Sequence, residues 1–262
     1  MMLTGKKVLL FAAAGAVGSA VAKEFARQGA DLWLSARRRE ALEPLANEFR
    51  NAGVSVKTEA VDALDERQVD RWISAATSAG SIDVVLNAIG IRPSVNGYGQ
   101  PAVDLSAEHF QAPLSHVLSQ FLTARSAARS MVDAGRGVIM TLSASIGKEA
   151  RPFMAGLSAG CAAVEGMTRS LAAEFGPRGV RVVCLSPGAM LETRTIRETI
   201  AGNAETAEIP EEAFRRSIAE GALLRRTTTL EEMARVAAFL ASDSAGCLTG
   251  QVISMSCGQV VL

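Results

Sequence analysis

Short apolar runs rich in β-branched residues recur along this chain at residues 8–11, 31–35, 54–60, 84–86, 138–142, 180–185 and 252–255. Segments of helical length and amphipathic spacing separate them, at about 17–28, 38–52, 66–79, 106–134, 156–175 and 230–241. A crossover between parallel strands needs a long connection, usually a helix, so this alternation predicts a parallel sheet covered on both faces. The expectation is a single α/β domain over residues 1–262, doubly wound around about seven strands. Residues 188–226 break the alternation: rich in Glu, Thr, Arg and Ala, they follow the sixth strand. Ligands bind beyond the carboxyl ends of such strands, so this segment reads as a substrate lid or as an ordinary helical insertion.

Twenty-seven basic residues balance twenty-seven acidic ones, which argues against nucleic acid as a partner. The longest apolar stretches, such as 8–17, are too short to span a bilayer, and the first residues run into a strand-like segment instead of a cleavable signal. A cytoplasmic protein without a membrane partner is expected. Cys161, Cys184, Cys247 and Cys257 are widely spaced, and only His109 and His116 could join them, so no metal site is predicted. Reduced thiols packed mostly in the interior are the simpler reading.

The run from Gly156 to Val182, Gly-Leu-Ser-Ala-Gly-Cys-Ala-Ala-Val-Glu-Gly-Met-Thr-Arg-Ser-Leu and onward, resembles the catalytic helix and following strand of the short-chain dehydrogenase/reductases. The resemblance extends from about Gly5 to Gly258 and implies a Rossmann-type fold, a dinucleotide cofactor and oxidoreductase activity on a small carbonyl or alcohol. It also exposes a loss. The family's Tyr-x-x-x-Lys falls on Leu157 and Cys161, its serine on Ala144 and its helix-borne asparagine on His116. A leucine transfers no proton, and a thiol near its ordinary pKa is no ammonium. His116, Ser143 and Ser145 are the candidate replacements, since histidine titrates near neutrality and a serine next to the lost one can orient a carbonyl. Each has a structural alternative: a histidine satisfied by a backbone carbonyl, a cysteine that merely packs, Lys148 and Glu149 as a solvated loop pair. The single tyrosine, Tyr98, lies in Asn96-Gly97-Tyr98-Gly99 and reaches the site only if that segment folds inward; surface or interface packing is the commoner fate.

The resemblance also implies where a cofactor sits. After the first strand, Ala12, Ala16 and Gly18 fall on the family's three glycines, with Gly15 one residue early and Val17 between. Glycines there let the backbone approach a pyrophosphate at a helix N-terminus, so Gly15, Val17 and Gly18 are candidate contacts within a weakened loop. At the end of strand two, Ala36 replaces the acid of NAD-preferring members and Arg37 offers a fork for a 2′-phosphate, favouring NADP(H) over NAD(H). A solvated helix start explains Arg37 equally. Asp62, Asn87, Gly90, Pro187 and Gly188 complete the candidate cofactor set. Three functions stay open: an NADP(H)-dependent oxidoreductase with a non-standard site, an inactive dinucleotide-binding or structural subunit, and a lyase or isomerase. A homo-oligomer, tetramer or dimer, built on helices 106–134 and 156–175 is expected from the family.

Overall fold

The structure, a computed structural model, describes residues 1–90, 92 and 97–261. Strands β1 (Lys7–Phe11), β2 (Asp31–Ala36), β3 (Val56–Ala60), β4 (Val84–Asn87), β5 (Gly137–Leu142), β6 (Val180–Pro187) and β7 (Val252–Met255) form one sheet in the order β3-β2-β1-β4-β5-β6-β7. Every pairing is parallel. Successive side chains of a strand point to opposite faces, and both faces of β1, β2, β4, β5 and β6 are buried, which is why those strands read as continuous apolar runs, whereas the edge strand β3, Val-Lys-Thr-Glu-Ala, is largely exposed. Leu10, Leu32, Leu34 and Leu86 join one core; Leu9, Trp33 and Val85 join the other.

Helices α1 (Ala16–Arg27), α2 (Glu43–Asn51) and α8 (Leu230–Ala241) cover the first face through Phe25, Phe49 and Met233. Helices α3 (Glu66–Ser78), α4 (Ala107–Ala134) and α5 (Ala155–Phe175) cover the second through Trp72, Met131 and Leu171. Full burial of a side chain such as Phe25 is worth about 1.5–3 kcal/mol, so the paired cores carry the fold. The expected helix 38–52 begins later: Arg38 is extended, Arg39–Leu42 is a 3₁₀ turn, and Pro44 stands in the first turn of α2, where a missing N–H costs nothing. Segment 188–226 holds two helices, α6 (Arg194–Thr206) and α7 (Glu211–Glu220).

The chain leaves β1 toward β2 and β3 and then returns to β4 on the other side, so the carboxyl ends of β1 and β4 flank the topological switch point. That is where an open α/β sheet binds ligands. Among the described residues no helix is long and apolar enough to cross a membrane.

Candidate active site

Beyond β1 the backbone keeps the shape of a glycine turn without the glycine: Ala12 has φ +58°. Gly18 is needed for space, because a Cβ there would lie 2.4 Å from the Ala12 carbonyl oxygen and 2.7 Å from Ala13 Cα. Gly15 is the N-cap of α1 in an extended conformation and contributes no side-chain cap. No side chain therefore caps the first-turn amides of α1, an arrangement able to receive phosphate. Val17 is half-buried against the first core.

At the end of β2, Ala36 is buried and Arg37 exposed, and among the described residues Arg37 and Arg38 make no ion pair. Asp65 caps α3 by accepting from the Arg67 and Gln68 amides, so Asp62 is not required as a cap. Asp62 accepts from the Leu64 amide at 3.0 Å. Gly90 is exposed. Pro187 is buried, and Gly188 presses against the C-terminal segment, where a Cβ would meet Ser256 Cα at 3.1 Å. These residues fit a dinucleotide laid across the switch point.

The floor of the other half is stitched by α4. Pairing of β4 with β5 stops at Leu86–Met140, leaving Asn87 and Leu142 with backbone groups that need partners. Gln120 donates to the Asn87 carbonyl at 3.2 Å and accepts from the Leu142 amide at 3.3 Å. Asn87 in turn donates to Ser119 and Thr123 and accepts from the Ile89 amide, so its side chain is spent on holding the turn. His116, buried, bonds through Nε2 to the Leu142 carbonyl at 2.8 Å. A carbonyl only accepts, so Nε2 carries the proton, and Nδ1 is left buried without a partner among the described residues. Burial pushes the His116 pKa down, with the Leu142 bond acting weakly the other way. The residue is a neutral imidazole whose free nitrogen accepts.

Ser143 Oγ turns inward, within 3.2 Å of the Cys161 carbonyl and 3.4 Å of Glu165 Oε1. Ser145 is also buried, and its hydroxyl bonds no described residue. Leu157, Cys161 and Glu165 follow one another at helical spacing on a buried face of α5. Burial raises the Cys161 thiol to about 11, which makes it a packed side chain and no nucleophile. The thiols divide evenly: Cys161 and Cys184 are buried, Cys257 is half-buried and Cys247 exposed. Glu165 escaped sequence reasoning, although its i+4 spacing from Cys161 marks it as inward-facing. Its carboxylate lies 3.6 Å from Lys148 Nζ and 3.5 Å from Ser186 Oγ. Lys148 and Glu149 are therefore not a solvated pair, because Glu149 binds Arg151.

Tyr98 folds inward. Its ring packs, with Ala144, against Ile146, Met154, Leu157 and Cys161. Asn96 lies outside the described residues. Among the described residues no group of three or more His, Cys, Asp or Glu gathers to hold a metal. A cleft of about 510 Å³ lined by Lys6, Asp83, Arg136 and Arg181 sits at the amino ends of the strands, the wrong end of the sheet for this chemistry.

Comparison with known proteins places this geometry among relatives. The family described as enoyl-(acyl carrier protein) reductase matches residues 12–259. A 3α-hydroxysteroid dehydrogenase of Mediterraneibacter gnavus is 32% identical over 262 residues, covering 97% of each chain. Among solved structures, NAD⁺-bound xylitol dehydrogenase superposes with a TM-score of 0.91 at 24% identity, covering 98% of this chain and all of that one. A gluconate 5-dehydrogenase from Burkholderia cenocepacia, in complex with NADP and tartrate, gives 0.87 at 24%, covering 98% and 96%.

Proposed function

The chain belongs to the short-chain dehydrogenase/reductases, and on that premise we propose that it is an NADP(H)-dependent oxidoreductase of a small carbonyl or alcohol, working with a non-standard catalytic set. The observation that carries this reading is the cofactor end: a glycine-type turn kept at Ala12 despite its methyl, uncapped amides on α1, and a free Arg37 just beyond buried Ala36. Gly15, Val17 and Gly18 would face the pyrophosphate, Arg37 the 2′-phosphate and Asp62 the adenine. The Asn87 turn with Gly90 would lie along the ribose, and Pro187-Gly188 beside the nicotinamide. The bound dinucleotide supplies hydride chemistry. The names of the relatives, dehydrogenases and reductases, support the reaction class.

On the substrate side, Ser145 orients the carbonyl, Ser143 and Glu165 hold the turn that carries it, and buried His116 fixes the Leu142 carbonyl at the base of that turn. Neutral His116 has no proton to spare, and Leu157 and Cys161 form an apolar wall. That wall also favours a second reading, an inactive dinucleotide-binding subunit. The apolar stripe on α4 supports a homo-oligomer.

Calorimetric titration tests the reading. A charged bidentate contact is worth roughly 1.5–3 kcal/mol, so NADPH should bind at least about tenfold more tightly than NADH, and Arg37→Ala should erase the difference. Equal affinities in the unmodified protein overturn it. NADPH binding without turnover of any ketone selects the second reading.

A further inference from the structure

Carbonyl reduction needs a proton, and the position that supplies it in the family holds Leu157. The one tyrosine of the chain, Tyr98, packs against the cluster that holds this leucine. Half-buried Tyr98 packs against a cluster of four buried residues, two of which, Leu157 and Cys161, occupy the positions of the family's tyrosine and lysine; Ala144, at the serine position, packs on the same cluster. The segment that carries it is pinned on both sides. The Gly99 amide donates to the Phe153 carbonyl at 3.2 Å, and Thr206 of α6 donates to the Gly99 carbonyl at 3.4 Å. The Tyr98 hydroxyl itself hydrogen-bonds with Thr199 of α6, with Arg151 and Glu149 close enough to act on it electrostatically. A tyrosine at position 157 would compete for the space this ring fills; a leucine leaves room and gives the ring an apolar bed.

We infer that Tyr98 is the catalytic acid of this protein, a proton donor moved from α5 to the segment after β4. This rests on the oxidoreductase reading above. Tyr98 gives its hydroxyl proton to the carbonyl oxygen as hydride from the bound reduced dinucleotide reaches the carbonyl carbon. The C=O π bond breaks, C–H and O–H bonds form, the dinucleotide is oxidised, and the phenolate recovers its proton from solvent. Burial, then the neighbouring Cys161, hold the phenol protonated well above its ordinary range, against the Thr199 bond and Arg151. Such a group suits reduction better than oxidation.

Because the chain holds a single tyrosine, its near-ultraviolet phenolate band reports Tyr98 alone. Alkaline titration of that band is run without cofactor and with saturating NADP⁺, whose cationic nicotinamide should lower the tyrosine's pKa by Coulombic attraction. Tyr98→Phe should leave NADPH affinity unchanged and slow reduction of small ketones such as cyclohexanone by roughly 10²–10⁴-fold. A phenolate titration that NADP⁺ does not move overturns the proposal, whatever ketones are turned over. So does Tyr98→Phe with full activity. Failure of NADPH to bind the unmodified protein removes the oxidoreductase reading itself, and a normal affinity beside an unmoved phenolate removes only the role of Tyr98.

Discussion

His116 holds one ring nitrogen on the Leu142 carbonyl and keeps the other buried and bare, so protonating it would strand a cation in the interior. Its folded pKa lies below the ordinary value of about 6.5, whereas the unfolded chain takes up a proton near that value. Below about pH 6.5 the unfolded state therefore binds more protons, and the stability present above that pH is lost as the pH falls toward the folded pKa. Urea unfolding at stepwise lower pH should show this decline. His116→Gln, whose amide still donates to Leu142, should flatten the part that histidine contributes. A variant with the same pH slope as the parent would show that His116 stays unprotonated in both states or finds a buried partner. The histidine was visible in the sequence as a candidate, but its pinned nitrogen was not. That bond depends on where β4 and β5 stop pairing.

Among the elements, the turn from β1 into α1 shows how a changed residue keeps an old shape. An L-residue with positive φ costs about 1–2 kcal/mol, and glycine removes that strain while adding about 0.5–1 kcal/mol of unfolded-chain entropy. Ala12→Gly should consequently change thermal stability little. Losing the methyl should let the pyrophosphate approach, and NADPH affinity should rise several-fold by calorimetry. A fall in affinity would mean that the present turn is already the binding shape. The existence of β1, α1 and the turn was legible from spacing alone. Gly18 was legible as a family position, and its reason, the Ala12 carbonyl 2.4 Å from where a Cβ would sit, needed the packed structure.

At the scale of the whole molecule, α4 presents Phe110, Leu114 and Leu118 at four-residue intervals, each more than two-fifths exposed. Beside them α5 exposes Ala159, Ala162 and Ala163, small enough for a second copy to approach closely. Three large apolar side chains in one row are a patch that an isolated chain would leave in water. The protein should therefore run as a dimer or tetramer in light scattering, and Leu114→Arg should shift it toward the monomer without unfolding it, since Leu114 is outside the core. A monomer at every concentration would mean that this face is covered by a different partner.

Seven strands, their parallel sense and six of the helices between them were determined by the sequence itself, because strand and helix are set by residue spacing within a few turns and parallel strands demand crossovers. The expectation that the family's Tyr and Lys positions fall on Leu157 and Cys161 was likewise read from the α5 pattern. Only the tertiary structure decided that Tyr98 packs against the cluster holding those two residues, that Lys148 turns to Glu165, and that Ser143 faces inward. Contacts between residues far apart along the chain leave no local periodicity. They arise when separate strand ends and loops converge at one edge of the sheet, and there a tyrosine from a glycine-rich segment can fill the space that a leucine leaves.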